Sequence, residues 1–189
     1  MQLLAIDLGE QSFHIHGITN EGEVVSIKVS RLKLEAAVEE LSPDCVTIEA
    51  CASSHHWGRR IEAIGYPVRL IHLRFVTPFV KGAKNYAVDA EAIHEAALRS
   101  TMRFVPVKAT EQQGLQMLHR TRDRLMTQRT GLINHIRGLL GEYGVVLPVG
   151  ASRFRRDIRN AVAEAKLSAL ALENFNTLID EFEALDERV

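Results

Sequence analysis

Three acidic residues stand where the chain is otherwise built to be apolar, and carboxylates in such places suggest chemistry. Asp7 interrupts LLAIDLG, Glu49 closes CVTIEA, and Asp89 follows the basic, glycine-containing stretch in KGAKNYAVDAEAI. The runs before Asp7 and Glu49 read as short buried strands. Both acids therefore sit at strand C-terminal ends, where ligands and catalytic groups gather in open α/β sheets. A buried carboxylate is costly without compensating charge, and where several converge the usual compensator is a divalent metal ion.

The elements that must position these acids follow from periodicity. Residues 2–8 read as a strand, SFHIHGITN (12–20) alternates as a second, and the turn EGE leads into VVSIKVS as a third. RLKLEAAVEEL reads as a helix with Leu34, Ala37, Val38 and Leu41 on one face, stopped by Pro43. CVTIEA is a fourth strand. SHHWGRRIEAIG is a helix capped by Ser53 or Ser54 and closed at Gly65, and PVRLIHL is a fifth strand. Three antiparallel strands followed by two helix-linked strands is the outline of a ribonuclease H-like mixed α/β sheet. In that outline Asp7 and Glu49 become neighbours, and Asp89 enters from a helix beginning near Val88, where the helix dipole favours an acid.

The second half of the chain is helical. Thr110 to Gly141 reads as one long helix with Leu118, Leu125, Leu132 and Leu139 every seven residues. Between His119 and Arg137 it carries Arg120, Arg122, Arg124, Arg129 and Arg137 against one acid, Asp123. Such unpaired guanidinium groups, with Lys81 and Lys84 near the acids, suit contacts to a phosphate backbone. Residues 144–152 read as a linker. A single last helix is expected from about Arg153 to the end, with Ala171, Phe175, Leu178, Phe182 and Leu185 on one face, as the start of a coiled-coil segment suited to homo-oligomer formation. The domain expectation is a sheet domain over 1–148, with its core in 1–108 and the arginine-rich helix at 110–141, then a helical segment over 152–189.

Composition sets outer limits. The chain has 189 residues, 46% of them apolar, a formal charge of −1, and no apolar run long enough to span a bilayer. No secretory leader precedes Asp7, so Cys45 and Cys51 are expected to be reduced thiols of a soluble cytoplasmic protein. Cys51 reads as a small core residue, and Trp57 as core packing on the Glu49 side of the sheet. His14 and His16 read as strand surface and His55 and His56 as helix start, since no Cys/His pair has structural-zinc spacing.

With these residues placed, the chain resembles the N-terminal half of the DEDD-type insertion-sequence transposases, the family numbered one-hundred-and-ten. The resemblance rests on AIDLGEQSFHIHGI, TIEACASSHHWGRRIEAIGYPVRLI, FVTPFVKGAKNYAVDAEAIHEAALRSTMRFVPVK and HRTRDRLMTQRTGLINHIRGLLGEYGVVLPVG, covering most of residues 4–150. It implies a RuvC-like domain followed by a coiled-coil segment, in recombinases guided by a bridge RNA. It also implies Mg²⁺ held by the family's four acids, acting on oxygens at a DNA phosphate, while a serine from a domain beyond this chain forms the covalent link. Residue by residue, Asp7 and Glu49 match the first two acids. The K-N-D-A-x-D pattern reads Lys84-Asn85-Tyr86-Ala87-Val88-Asp89, so Asp89 matches the last acid and Tyr86 replaces the third. A phenol brings neither charge at pH 7 nor bidentate oxygens.

From the resemblance, the metal-binding and catalytic set is Asp7, Glu49 and Asp89. The set expected to touch DNA or guide RNA is Lys81, Lys84, Arg120, Arg124, Arg129, Asn134 and Arg137. The expected function is that of a nucleic-acid-binding RuvC-like transposase domain, impaired in recombination by Tyr86. The competing expectation is a non-catalytic binding or dimerisation module left from a transposon. The IDLG opening is also compatible, less well, with an actin-like phosphate loop, but no second such loop follows.

Overall fold

The computed structural model describes residues 1–81 and 86–189, except for the side chain of Tyr86. Lys84 and Asn85, named above, lie outside the described residues. The chain forms two compact units, Met1–Glu111 and Gln112–Val189.

The first unit is built on six strands: β1 (Leu3–Leu8), β2 (Ser12–Ile18), β3 (Val24–Ser30), β4 (Cys45–Glu49), β5 (Val68–Ile71) and β6 (Phe104–Val105). They lie in the order β3-β2-β1-β4-β5-β6. β1, β2 and β3 form an antiparallel meander, whereas β4 pairs parallel with both β1 and β5. This is the mixed ribonuclease H-like order expected from the sequence. β6 is an addition: it pairs antiparallel with β5 and is too short for periodicity to reveal.

Parallel neighbours need crossovers, and helices supply them. α1 (Leu34–Leu41) and α2 (Ser54–Ala63) cover one face, with Leu34, Val38, Trp57 and Ile61 packed on Leu4, Ile6, Ile15, Ile48 and Leu70. α3 (Leu73–Val76) and α4 (Tyr86–Ala97) cover the other, with Val76, Ala92, Ile93 and Ala96 packed on Ala5 and Ile71. Two glycines are required by position. Gly65 ends α2 at φ 95°, a left-handed conformation that side chains disfavour. At Gly58 a Cβ would lie 2.8 Å from Val107 Cγ2, so α2 approaches the segment after β6 as closely as it does only because that side chain is absent.

Trp57 packs with Ile48, and Ile48 and Glu49 are adjacent in one strand, so they face opposite sides. Trp57 is therefore on the face away from Glu49, contrary to expectation. Residue parity cannot be carried through the loop at 50–53. His16 also departs from the surface expectation, being 8% exposed beneath α4.

The second unit contains α5 (Thr110–Gly141) from Gln112 onward, α6 (Ala151–Glu164) and α7 (Ala169–Asp186). The expected single last helix is two. The chain breaks at 165–168, and Ser168 restarts it by accepting a 3.2 Å hydrogen bond from the Ala171 N–H. The break lets the two helices fold back with α5 around Ile133, Ile136, Leu140, Phe154, Ile158, Phe175, Ile179 and Phe182. This core also takes up much of the heptad surface that suggested a coiled coil. Leu125 is buried, while Leu118 remains 62% exposed.

Candidate functional site

The site begins with the register of two parallel strands. β1 and β4 pair from Leu3↔Cys45 to Ile6↔Ile48, and continuing that register places Asp7 level with Glu49 just past the last pair. Alternation gives both acids the same face as Ala5 and Thr47, the face covered by α4. Both are half-buried rather than fully buried, and neighbouring groups engage both.

Asp89 approaches from α4, whose direction can be traced from its contacts. His94 and Leu98 line a cavity with Gln2 and Leu3, at the start of β1. The C-terminal end of α4 is therefore at the start of β1, and its N-terminal end is at the Asp7 end. Asp89 precedes Ala92, Ile93 and Ala96 by three, four and seven residues, placing it on the sheet-facing arc in the first turn. The helix dipole adds positive potential at this same end. The three acids thus share one end of the sheet. Among the described residues, however, no three His, Cys, Asp or Glu side chains form a group that could hold a metal ion.

Two neighbours were not anticipated. His14 stands opposite Asp7 on one side and Lys28 on the other, giving a row Lys28–His14–Asp7–Glu49 across four strands. Burial, then the Lys28 charge, lowers the His14 pKa. The alternation of SFHIHGI contained this signal, because it fixes which residues face Asp7 once the hairpin is closed. Cys51, expected in the core, is exposed instead. Its thiol pKa is nonetheless raised, first by local desolvation and also by the charges of Glu49 and Asp7, whereas hydrogen bonds from the Ser53 and Ser54 backbone oppose the shift. The Cys51 thiol thus lies within electrostatic reach of both carboxylates.

The cationic residues divide into two groups. Arg120, Arg124 and Asn134 are exposed on α5. Arg129 is 16% exposed at its side chain and donates a 2.8 Å bond to Asp186, which also pairs with Arg155. Arg137 donates a 2.8 Å bond to the Leu147 carbonyl. These two arginines tie α5 to the rest of its unit. Lys81 bridges Glu91 at 3.1 Å with 70% of its side chain exposed, an arrangement solvent can readily exchange. Arg124 also lines a groove of about 640 Å³ between α5 and α7, with Gln128, Gly131, His135, Glu181 and Arg188.

Comparison with known proteins identifies the family. The family model for DEDD transposases of the IS110 type matches residues 4–145. A Pseudomonas aeruginosa protein named "Probable family 20 transposase" is 42% identical over 194 residues, covering 98% of this chain and 56% of that protein. The transposase for insertion sequence element IS1111A of Coxiella burnetii is 43% identical over 159 residues, covering 84% of this chain and 44% of that one. Among solved structures, Thermus thermophilus RuvC matches at a TM-score of 0.37 and 14% identity, over 56% of this chain and 100% of that one. That likeness adds nothing to what the strand order already gives. The chain spans about half the length of the curated relatives it matches. By family model and by relatives alike, the chain belongs to the DEDD transposases of insertion sequences.

Proposed function

We propose that this chain is the RuvC-like part of an insertion-sequence transposase and acts on DNA in the cytoplasm. In this reading Asp7, Glu49 and Asp89 hold Mg²⁺ for DNA transposition and recombination. The observation that supports it is the parallel register of β1 and β4, which ends at Ile6↔Ile48 and so leaves Asp7 and Glu49 as the next residues on adjacent strands, with Asp89 in the first turn of α4. The donor set suits the ion in kind, because Mg²⁺ prefers hard carboxylate oxygens and keeps several waters. The ion would supply charge stabilisation at a phosphate oxygen. Cys51 and His14, which neighbour the acids, are softer donors and are assigned no part in binding it.

Two carboxylates and an approaching third are fewer than the four of the family pattern, with tyrosine at the third position. The reading is therefore of a weak metal site and of recombination impaired in this chain. Nucleic acid, including a guide RNA, would meet the exposed Arg120, Arg124 and Asn134 of α5 and the exposed Lys81; Lys84, outside the described residues, is assigned the same role from the sequence alone. Arg129 and Arg137 would contribute by holding α5 in its unit. Helical surfaces such as exposed Leu115 and Leu118 are the place for a homo-oligomer contact.

The test is a calorimetric Mg²⁺ titration of the native chain beside Tyr86→Asp. The expected result is weak binding that the variant tightens by tenfold or more. Equal, negligible heats in both proteins would assign the acids a structural role, as in a non-catalytic module.

A further inference from the structure

At the opposite end of α4 from Asp89, two histidines are enclosed between helix and sheet. His16 of β2 is 8% exposed and His94 of α4 is 3% exposed. Their rings meet edge to face, with centroids 5.2 Å apart at 67°. His94 Nδ1 is buried with no hydrogen-bond partner among the described residues. A cavity of about 380 Å³ adjoins His94 between Leu3, Ile18 and Leu98, with the polar groups of Gln2, Thr19 and Asn20 around it.

The contact joins the two elements that matter to the acids. β2 carries His14 opposite Asp7 and His16 opposite Ala5. α4 carries Asp89 one and a half turns before His94. The rest of the sheet-facing surface of α4 is mostly alanine, with Ala90, Ala92 and Ala96 each at most 1% exposed. Alanine lets the helix lie close but gives little to fix its register. The large interlocking groups are Ile93 and the histidine pair. We propose that His16 and His94 are positioning residues: as a neutral pair they seat α4 on β2 and thereby hold Asp89 at the Asp7–Glu49 end of the sheet.

The charge environment determines how the seat responds to pH. His16 faces Ala5 on β1, Ser26 on β3 and His94 on α4, with Glu91 and Glu95 near enough to favour its protonation. His94 faces His16, Glu95 and the uncharged cavity groups. Both acids are engaged elsewhere, Glu91 with Lys81 and Glu95 with Arg99. Burial outweighs them, and both imidazoles are held below the ordinary value of 6.5. For a base with a lowered folded-state pKa, the stabilising contribution is complete above the unfolded pKa and is lost as pH falls below it. Protonation therefore unseats α4 on the acid side of pH 6.5, and protonating either ring disfavours protonating the other.

This inference rests on the proposed metal role of Asp89, and the experiment has separate readouts for the two. Amide exchange of α4 and Mn²⁺ affinity are followed from pH 7.5 to 5.5 in the native chain and in His16→Val/His94→Leu. Between these pH values each histidine can raise local opening of α4 by at most about tenfold. The expected result is lower α4 protection at pH 5.5, once the intrinsic pH dependence of exchange is removed, and a parallel weakening of Mn²⁺ binding in the native chain. Both pH dependences should be reduced in the double variant, while α7 exchange shows no corresponding change. Native α4 exchange with no pH dependence beyond the intrinsic chemistry of exchange would overturn the proposal. So would a pH response of Mn²⁺ affinity identical in the two proteins. Absence of Mn²⁺ binding at every pH would instead defeat the metal reading, leaving amide exchange to decide whether the pair seats the helix.

Discussion

Removing the Asp186 carboxylate should destabilise the helical unit by about 3 kcal/mol while leaving the stability of the sheet unit unchanged. Asp186 is 6% exposed at its side chain and faces two guanidinium groups, Arg129 at 2.8 Å and Arg155. The two pairs are unequal. Arg155 is 59% exposed at its side chain, so its pair is worth at most about 1 kcal/mol. Arg129 is 16% exposed and its Nε has no hydrogen-bond partner among the described residues, so loss of Asp186 strands a buried charge. Breaking a buried pair from one side costs about 3–5 kcal/mol, and the residual exposure of Arg129 points to the lower end, about 3 kcal/mol. Arg129→Met should cost only about 1 kcal/mol, because Asp186 keeps Arg155 and the methionine fills the space.

Urea unfolding resolves the two units. Trp57, the sole tryptophan, sits in the sheet core at 3% exposure, so its emission reports the first unit. Far-UV circular dichroism is weighted towards the helices of the second. With an m value of about 1.5 kcal/mol per molar urea, Asp186→Ala should lower the helical midpoint by about 2 M and leave the Trp57 transition in place. A shift under 0.5 M, by rough estimate, or a larger effect for Arg129→Met than for Asp186→Ala, would refute the burial argument.

Other outcomes follow from the same structure. Gly58→Ala gains about 1 kcal/mol of helix propensity but drives a Cβ to 2.8 Å from Val107 Cγ2, so a net loss of about 1 kcal/mol is expected in the Trp57 transition. Arg120→Gln with Arg124→Gln should leave both unfolding transitions unchanged and flatten the salt dependence of duplex DNA binding by up to about 2 logarithmic units per decade; an unaltered slope would exclude these two from phosphate contact. Arg60→Ala removes a bidentate pair with Glu35, both bonds 2.6 Å, and a cation–π contact with Trp57 at 5.0 Å. Its half-exposed setting limits the loss to about 1 kcal/mol, measurable as a small shift of the Trp57 midpoint.

The sheet was largely legible because its strands are short apolar or alternating runs separated by strong breakers, and a three-strand meander followed by helix-linked strands sets the order β3-β2-β1-β4-β5. The pairing of Asp7 with Glu49 followed from that order. What the sequence withheld depended on counting through irregular backbone. The loop at 50–53 changes the direction of the chain, so neither the face of Trp57 nor the exposure of Cys51 could be read from it. The last helix was read as continuous because Ala161, Val162 and Leu167 carry an apolar pattern into Ala171 and Phe175. Only Ser168 signals the restart. The arginines of α5 looked alike in sequence because their partners, Asp186 and the Leu147 carbonyl, are 57 and 10 residues away. Exposure separates Arg120 and Arg124 from Arg129 and Arg137, and exposure is a property of the folded chain.

The central claim is that the end of the sheet bearing Asp7, Glu49 and Asp89 receives a divalent ion. Paramagnetic broadening of amide resonances by substoichiometric Mn²⁺ tests it directly, because the effect falls steeply with distance from the ion. The account predicts selective broadening at Asp7, Glu49, Cys51 and Asp89, with Gln2 and Leu98 at the other end of α4 spared, and loss of that pattern in Asp7→Asn. Broadening centred elsewhere, or the same broadening in Asp7→Asn, would contradict it.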